Sequence, residues 1–248
     1  NSPDENNMCS WALRCLLIEF DDKKIIFDTG IGNKQSVNFF KYYYLHGEDS
    51  LMKSLKKIRV NPDDITHVFF THLHFDHCGG AIMKKNNSLE LVFKNALHLT
   101  NKVHWELANN PNNRERASFL KENFSLIHEK KQIKFITEGL IFDKIDVRFF
   151  HGHTASQMIP VINYKNKKIV FTADLLPSVS HIPIPYVMGY DTQPLLTLKE
   201  KELFFNEAVE QKYILFLEHD IKNEACTLKK IDGKVVVDKM GKLQDLLN

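Results

Sequence analysis

The run from Thr71 to Gly80, THLHFDHCGG, constrains this chain more than any other part of its sequence. It follows an apolar stretch and places three histidines and one aspartate within six residues. Imidazole and carboxylate groups are ligands that suit zinc and other borderline divalent ions. Four of them exceed what one tetrahedral ion takes from a single loop, so the run predicts two metal ions. A polar turn with clustered histidines is the alternative, but His72 and His74 alternate and would point the same way on a strand.

Three later segments repeat the pattern of a short apolar or aromatic run that ends in residues of ligand type. They lead from Val147 into His151 and His153, from Ile169 into Asp174, and from Tyr213 into Glu218, His219 and Asp220. Loops at one edge of a sheet bring distant residues into a common site. The sequence therefore predicts that these residues join the histidine run.

Together the four motifs resemble the metallo-β-lactamase superfamily, in which an HxHxDH loop is followed by a His, an Asp and a His. Within it, the chain is similar to the branch that contains acyl-homoserine lactone lactonases and methyl parathion hydrolase-like proteins. The resemblance implies an α/β (α+β) fold, a four-layer αββα sandwich of two mixed β-sheets with outer helices. It also implies the metal ligands: His72, His74 and His153 for one ion, Asp76, His77 and His219 for the other, and Asp174 as the bridge. The family's spacing favours His153 over His151, and Asp28 matches an aspartate that supports the metal loop.

The implied cofactors are two divalent metal ions, with zinc expected and manganese, iron or cobalt as alternatives. Two ions bridged by a carboxylate share one water and lower its pKa toward neutrality, which supplies a metal-bridging hydroxide as nucleophile. The best-known lactonases place a tyrosine three residues after the bridging aspartate, where this chain has Pro177. The donor of a proton to the leaving group is therefore sought among Asp76, His181, Tyr186 and Tyr190.

The expected activity is hydrolysis of a lactone or similar ester, as in quorum-quenching lactonases. Phosphotriester or phosphodiester hydrolysis and glyoxalase II-like thioester hydrolysis are alternatives, because the same nucleophile attacks phosphorus or a thioester carbonyl. An iron oxidoreductase of the same fold is disfavoured, since flavodiiron proteins carry Glu at the position of His74. Hydrolysis of β-lactams is disfavoured because class B β-lactamases lack a bridging aspartate at the position of Asp174.

Composition agrees with this interpretation. A chain of 248 residues with 43% hydrophobic residues buries a large core as one domain. We expect a single domain over 1–248 that lacks the N-terminal strands of its relatives and carries a helical insertion near 100–131. The net charge of +2 is too small to attract nucleic acid or an anionic membrane. The expected partner is a small ester or lactone, with a homodimer left open. Cysteine usage favours the cytoplasm, although the start of the chain leaves secretion open.

Local patterns predict the elements around the motifs. A strand over Trp11–Phe20 and its return over 24–27 predict a hairpin, and apolar spacing predicts a helix over 50–58. A capping box of Thr197 and Glu200 predicts the start of a later helix. Between Asp174 and that helix, the prolines of the loop 175–194 forbid regular structure, and the loop is expected to shape the substrate pocket. His67 is expected to be exposed, and His98, His104 and His128 to face solvent or a pocket rim.

Overall fold

The computed structural model describes residues 3–248, which form two compact units. The N-terminal unit consists of Cys15–Ile136. The C-terminal unit combines residues 3–14 with 137–248. Each unit is built on its own mixed β-sheet, so the predicted class of α/β protein with two mixed sheets is confirmed.

The sheet of the N-terminal unit has five strands, and a separate hairpin accompanies it. Its strands are β1 (Leu16–Phe20), β2 (Lys23–Phe27), β3 (His67–Phe69), β6 (Leu97–Thr100) and β7 (Ile133–Phe135), with β4 (Ile82–Lys85) and β5 (Ser88–Leu91) in the hairpin. The predicted β1–β2 hairpin is present and antiparallel. β2, β3, β6 and β7 follow one another in parallel. Parallel neighbours bring the ends of β2 and β3 to one edge of the sheet, where the metal loop begins.

The predicted first strand was too long at its N-terminal end. β1 begins at Leu16, and the residues before Cys15 belong to the C-terminal unit. There the backbone N–H groups of Ala12 and Arg14 donate to the carbonyls of His219 and Glu218. The residues of one continuous apolar pattern in the sequence are therefore divided between the two units.

Five short helices complete the N-terminal unit. They are α1 (Val37–Phe40), α2 (Leu51–Lys57), α3 (Phe75–Cys78), α4 (Lys102–Asn109) and α5 (Ser125–Glu129). α2 is the helix predicted over 50–58: the Ser50 hydroxyl caps it by accepting from the N–H of Lys53. Leu55 of α2 packs into a core with Val68 of β3 and Phe124 before α5. Burial of such side chains contributes about 1.5–3 kcal/mol each.

The strands of the C-terminal unit are β8 (Gly139–Ile141), β9 (Ile145–Phe150), β10 (Gln157–Tyr164), β11 (Lys167–Phe171), β12 (Ile214–Phe216), β13 (Ala225–Ile231) and β14 (Lys234–Gly241). They form one seven-stranded sheet in the order β14-β13-β12-β11-β10-β9-β8. All neighbours are antiparallel except β11 and β12. That parallel pair is joined by a long loop and α6 (Pro194–Glu210), and a short α7 (Leu243–Leu247) follows β14.

The predicted start of α6 was wrong. The helix begins at Pro194, whose fixed φ and missing N–H suit the first helical position. Thr197 and Glu200 make no capping box: the Thr197 hydroxyl donates to Asp191, and Glu200 accepts from the backbone of residues 151 and 152. Both side chains bond to neighbouring loops and do not cap the helix.

Three histidines differ from their predicted environments. His98 and His104 are completely buried instead of facing solvent or a rim. His67 is half-buried, with its Nδ1 2.9 Å from the Thr66 hydroxyl, whereas His128 is exposed. Within residues 3–248, none of the helices has the length and apolar character needed to cross a bilayer.

Candidate metal centre

The histidine run of the N-terminal unit forms a buried cluster of imidazoles. The strand β3 leads into His72 and His74, and α3 carries Asp76 and His77. The ring centroid of His72 lies 3.9 Å from that of His77 and 4.5 Å from that of His74. Three imidazolium charges at these separations would repel one another strongly, whereas neutral imidazoles share a cation.

Asp28 holds this loop from below, as the family resemblance implied. Its Oδ1 accepts the Thr71 N–H at 2.8 Å, and its Oδ2 accepts the Thr71 hydroxyl at 2.6 Å. The same Oδ2 lies 2.9 Å from His77 Nδ1. A carboxylate on Nδ1 fixes the ring and leaves Nε2 as the metal-binding nitrogen.

Two further features fix the path of the loop. His104 Nε2 accepts the N–H of Leu73, between the two alternating histidines, at 2.8 Å. Gly79 and Gly80 pass so close to the backbone of Ile31 and Thr29 that a Cβ on either would collide with a carbonyl oxygen. The glycine pair is therefore required by this close approach.

In the C-terminal unit, one carboxylate lies between two imidazoles. Asp174, just after β11, has Oδ2 3.1 Å from His153 Nε2 and Oδ1 2.9 Å from His219 Nε2. All three residues are buried. His153 Nδ1 lies 2.9 Å from Asp191 Oδ1, and His219 Nδ1 lies 2.8 Å from the carbonyl oxygen of Ala12. Each imidazole is thus oriented through Nδ1, while its Nε2 faces a different oxygen of the same carboxylate.

These donors fit divalent metal ions of the zinc type. Within the N-terminal unit the candidate ligands are His72, His74, Asp76 and His77, and within the C-terminal unit they are His153, Asp174 and His219. Nitrogen and carboxylate oxygen donors, with imidazoles anchored through Nδ1, are what such ions require. His151, the competing candidate, is exposed, and its Nδ1 accepts the N–H of Ser156 at 3.1 Å.

The candidate proton donors of the loop 175–194 lie in different surroundings. The Tyr190 ring lies 6.4 Å from the His153 ring, and 57% of its surface is exposed. His181 Nδ1 lies 2.9 Å from the Ser178 hydroxyl, and burial lowers the pKa of His181. Tyr186 is 61% exposed. The fourth candidate, Asp76, belongs to the N-terminal unit and is partly exposed.

Sequence reasoning missed three residues of these surroundings. The Trp11 ring lies 4.9 Å from the His219 ring and 6.3 Å from the Tyr190 ring, measured between centroids, and is tilted against both. Asp191 orients His153, and buried Glu115 has Oε1 3.7 Å from His74 Nε2. None of the three belongs to a local motif. Only the general rule that a metal-binding histidine has a carboxylate partner would have prompted a search for Asp191.

Anchored imidazoles and carboxylates at strand ends define a centre of the kind that metal-dependent hydrolases use. The family model of the metallo-beta-lactamase superfamily matches residues 14–207, and the chain belongs to that superfamily. It is a metal-dependent hydrolase of the metallo-β-lactamase fold.

Similar proteins include an N-acyl homoserine lactonase of Bacillus cereus, 23% identical over 88% of this chain and 85% of the relative. Among solved structures, a probable metal-dependent hydrolase from Staphylococcus aureus is 24% identical with a TM-score of 0.86, over 96% of this chain and 84% of that one. AidC, a dizinc quorum-quenching lactonase in complex with a product, is 22% identical with a TM-score of 0.76, over 92% of this chain and 79% of that one. The two structural likenesses show the fold.

Proposed function

We propose that this protein is a dinuclear metal hydrolase that opens a lactone or a similar ester. The observation that carries the proposal is the Asp174 carboxylate, with one oxygen at the Nε2 of His153 and the other at the Nε2 of His219. A carboxylate that shares its two oxygens in this way suits a bridge between two ions. A lactonase relative that aligns with 88% of the chain supports the choice of substrate class.

The ligand assignment follows the family pattern. One ion takes His72, His74 and His153, the other takes Asp76, His77 and His219, and Asp174 bridges them. Bound ions of this kind supply an activated water and polarise the substrate carbonyl. The protein's own contribution is to orient the rings. Asp28 holds Nδ1 of His77 and Asp191 holds Nδ1 of His153, so that Nε2 of each ring is the nitrogen available to a metal ion.

We propose Tyr190 as the group that protonates the leaving alkoxide oxygen. Its ring is near His153 and against Trp11, and its partial exposure leaves it accessible to substrate. A phenolic O–H is a donor that can pass its proton to a developing alkoxide. Asp76, His181 and Tyr186 are the other candidates.

The test combines metal analysis with kinetics. His72→Ala and Asp174→Ala should each lower the metal content measured by plasma emission and abolish hydrolysis, because one removes a terminal ligand and the other the bridge. His46→Ala, at an exposed histidine outside the motif, is the control and should retain both. Two metal equivalents with normal turnover in either ligand variant would contradict the assignment.

The substrate class is tested on the wild-type protein. A metal-loaded sample should hydrolyse lactones faster than phosphotriesters, thioesters and β-lactams at equal concentration, compared as kcat/KM. A phosphotriester or thioester as the preferred substrate would replace the lactone in the proposal and leave the metal centre intact.

A further inference from the structure

A buried lysine lies beneath the loop that follows Asp174. Lys201 of α6 is only 1% exposed, although lysine is rarely buried unless it is paired. Its ammonium group donates to three backbone carbonyls of the loop: Tyr186 at 2.7 Å, Ile184 at 3.3 Å and Pro183 at 3.4 Å. The three donors of the ammonium group match these three acceptors.

The surroundings of this ammonium group make the arrangement specific. Its Nζ also lies 5.7 Å from the centroid of the buried Phe205 ring, a position that favours a cation. Burial lowers the pKa of Lys201 to about 8, so the charged amine is held there against the loss of its hydration. An apolar side chain would fill this space without that loss, and packing alone does not require a lysine.

The carbonyls converge on Lys201 only when the loop follows one path. Pro183 and Pro185 have no N–H group, which reduces the hydrogen bonds that this segment can make within itself. Both flanks of the loop are fixed at the candidate metal centre, at Asp174 and at Asp191. Lys201 therefore fixes the middle of a loop whose ends are already anchored.

We infer that Lys201 is a positioning residue that fixes the loop 182–190. Through the loop it determines the affinity for acyl substrates and the choice among them. The effect on substrate rests on the proposed function, because the loop carries Tyr186 and Tyr190. The contacts of its ammonium group are with the loop backbone and the Phe205 ring, so it acts through the loop. Its removal should loosen the loop and weaken substrate binding, while the metal content remains.

The test removes the donors and keeps an unbranched side chain that is one atom shorter. In Lys201→Met, amide hydrogen exchange over residues 182–190 should accelerate by about tenfold or more, and KM should rise about tenfold with a smaller change in kcat. Lys201→Arg retains charge and donors and should restore slow exchange. Lys199→Met changes an exposed lysine of the same helix, and should behave as wild type.

The outcomes test the positioning role of Lys201 separately from the proposed activity. Exchange over 182–190 that stays at the wild-type rate in Lys201→Met overturns the positioning role, and this measurement needs no substrate. Faster exchange with an unchanged KM overturns the role in substrate binding. Lys201→Gln keeps a shorter donor and should give intermediate exchange, so it decides the matter if the methionine variant does not fold. A wild-type protein without lactonase activity would contradict the proposed function alone.

Discussion

At the scale of single residues, the orientation of the candidate metal-binding imidazoles depends on the partner of the Nδ1 nitrogen. His77 and His153 contact a carboxylate through Nδ1, and His219 contacts a backbone carbonyl. Such partners fix both the tautomer and the ring orientation. A histidine without such a partner would lose conformational entropy on binding a metal. The two histidines after Phe150 test this distinction directly.

His153→Ala should lower metal affinity by about 100-fold or more, because losing a ligand costs more than the roughly 10–100-fold typical of losing a ligand's partner. His151→Ala should leave metal affinity unchanged, since His151 is exposed and bonds locally to Ser156. Titration with a competing chelator measures both constants. The reverse order of effects would show that His151 is the ligand.

Two exposed tyrosines of the same loop provide a matched pair for the proton donor. Tyr190→Phe should lower kcat by about 10²-fold with metal content intact, the usual scale for removing a general acid. Tyr186→Phe should keep kcat within about twofold, because we assign no proton to that residue. Steady-state kinetics with metal analysis distinguishes them. Wild-type turnover in both variants would move the role to Asp76 or His181.

At the scale of elements, the first turns of α6 organise two loops. Thr197 bonds to Asp191, Glu200 bonds to the backbone before His153, and Lys201 bonds to the loop 183–186. The helix approaches the His153 loop closely: a Cβ on Gly152 would lie 2.6 Å from the N and Cα atoms of Thr197. Backbone atoms on both sides make this contact hard to relax.

Gly152→Ala should therefore lower the free energy of unfolding by about 1–3 kcal/mol, the range for forcing extra atoms into a packed site. Gly189→Ala is the control, because a Cβ there meets nothing within 4 Å. Urea denaturation of both variants at fixed metal concentration measures the difference. Equal stability of the two variants would mean that α6 and the loop separate readily.

At the scale of the whole molecule, buried ionisable groups make stability depend on pH. Burial lowers the pKa of His98 to about 4, from an ordinary value near 6.5. Between these values the unfolded chain binds a proton that the folded protein does not, so stability rises with pH in this window. The full difference is about 3 kcal/mol at most.

His98→Leu should consequently flatten the dependence of the unfolding free energy on pH between about 4 and 6.5. The exposed His128 provides the control, and His128→Leu should retain the wild-type slope. Urea denaturation at a series of pH values, compared as differences from wild type, cancels the contributions of the metal site. Parallel curves for wild type and His98→Leu would contradict the assignment.

Features that depend on local spacing could be predicted from the sequence. The ligand-type residues from His72 to His77 share one loop, and a strand-and-loop pattern is enough to identify them. The β1–β2 hairpin and α2 were predicted from apolar periodicity and turn residues for the same reason. The support from Asp28 came through the family resemblance, which carries spatial information that a single sequence lacks.

Side chains that bond to distant segments could be identified only in the folded protein. Thr197 and Glu200 matched a helix cap in sequence, yet their partners are Asp191 and the backbone before His153. Lys201 has the ordinary appearance of a solvent-exposed helix lysine, and its burial depends on a loop 15 to 18 positions away. Hydrogen bonds between distant segments leave no periodic signal, because their energy depends on positions in space and not on spacing along the chain.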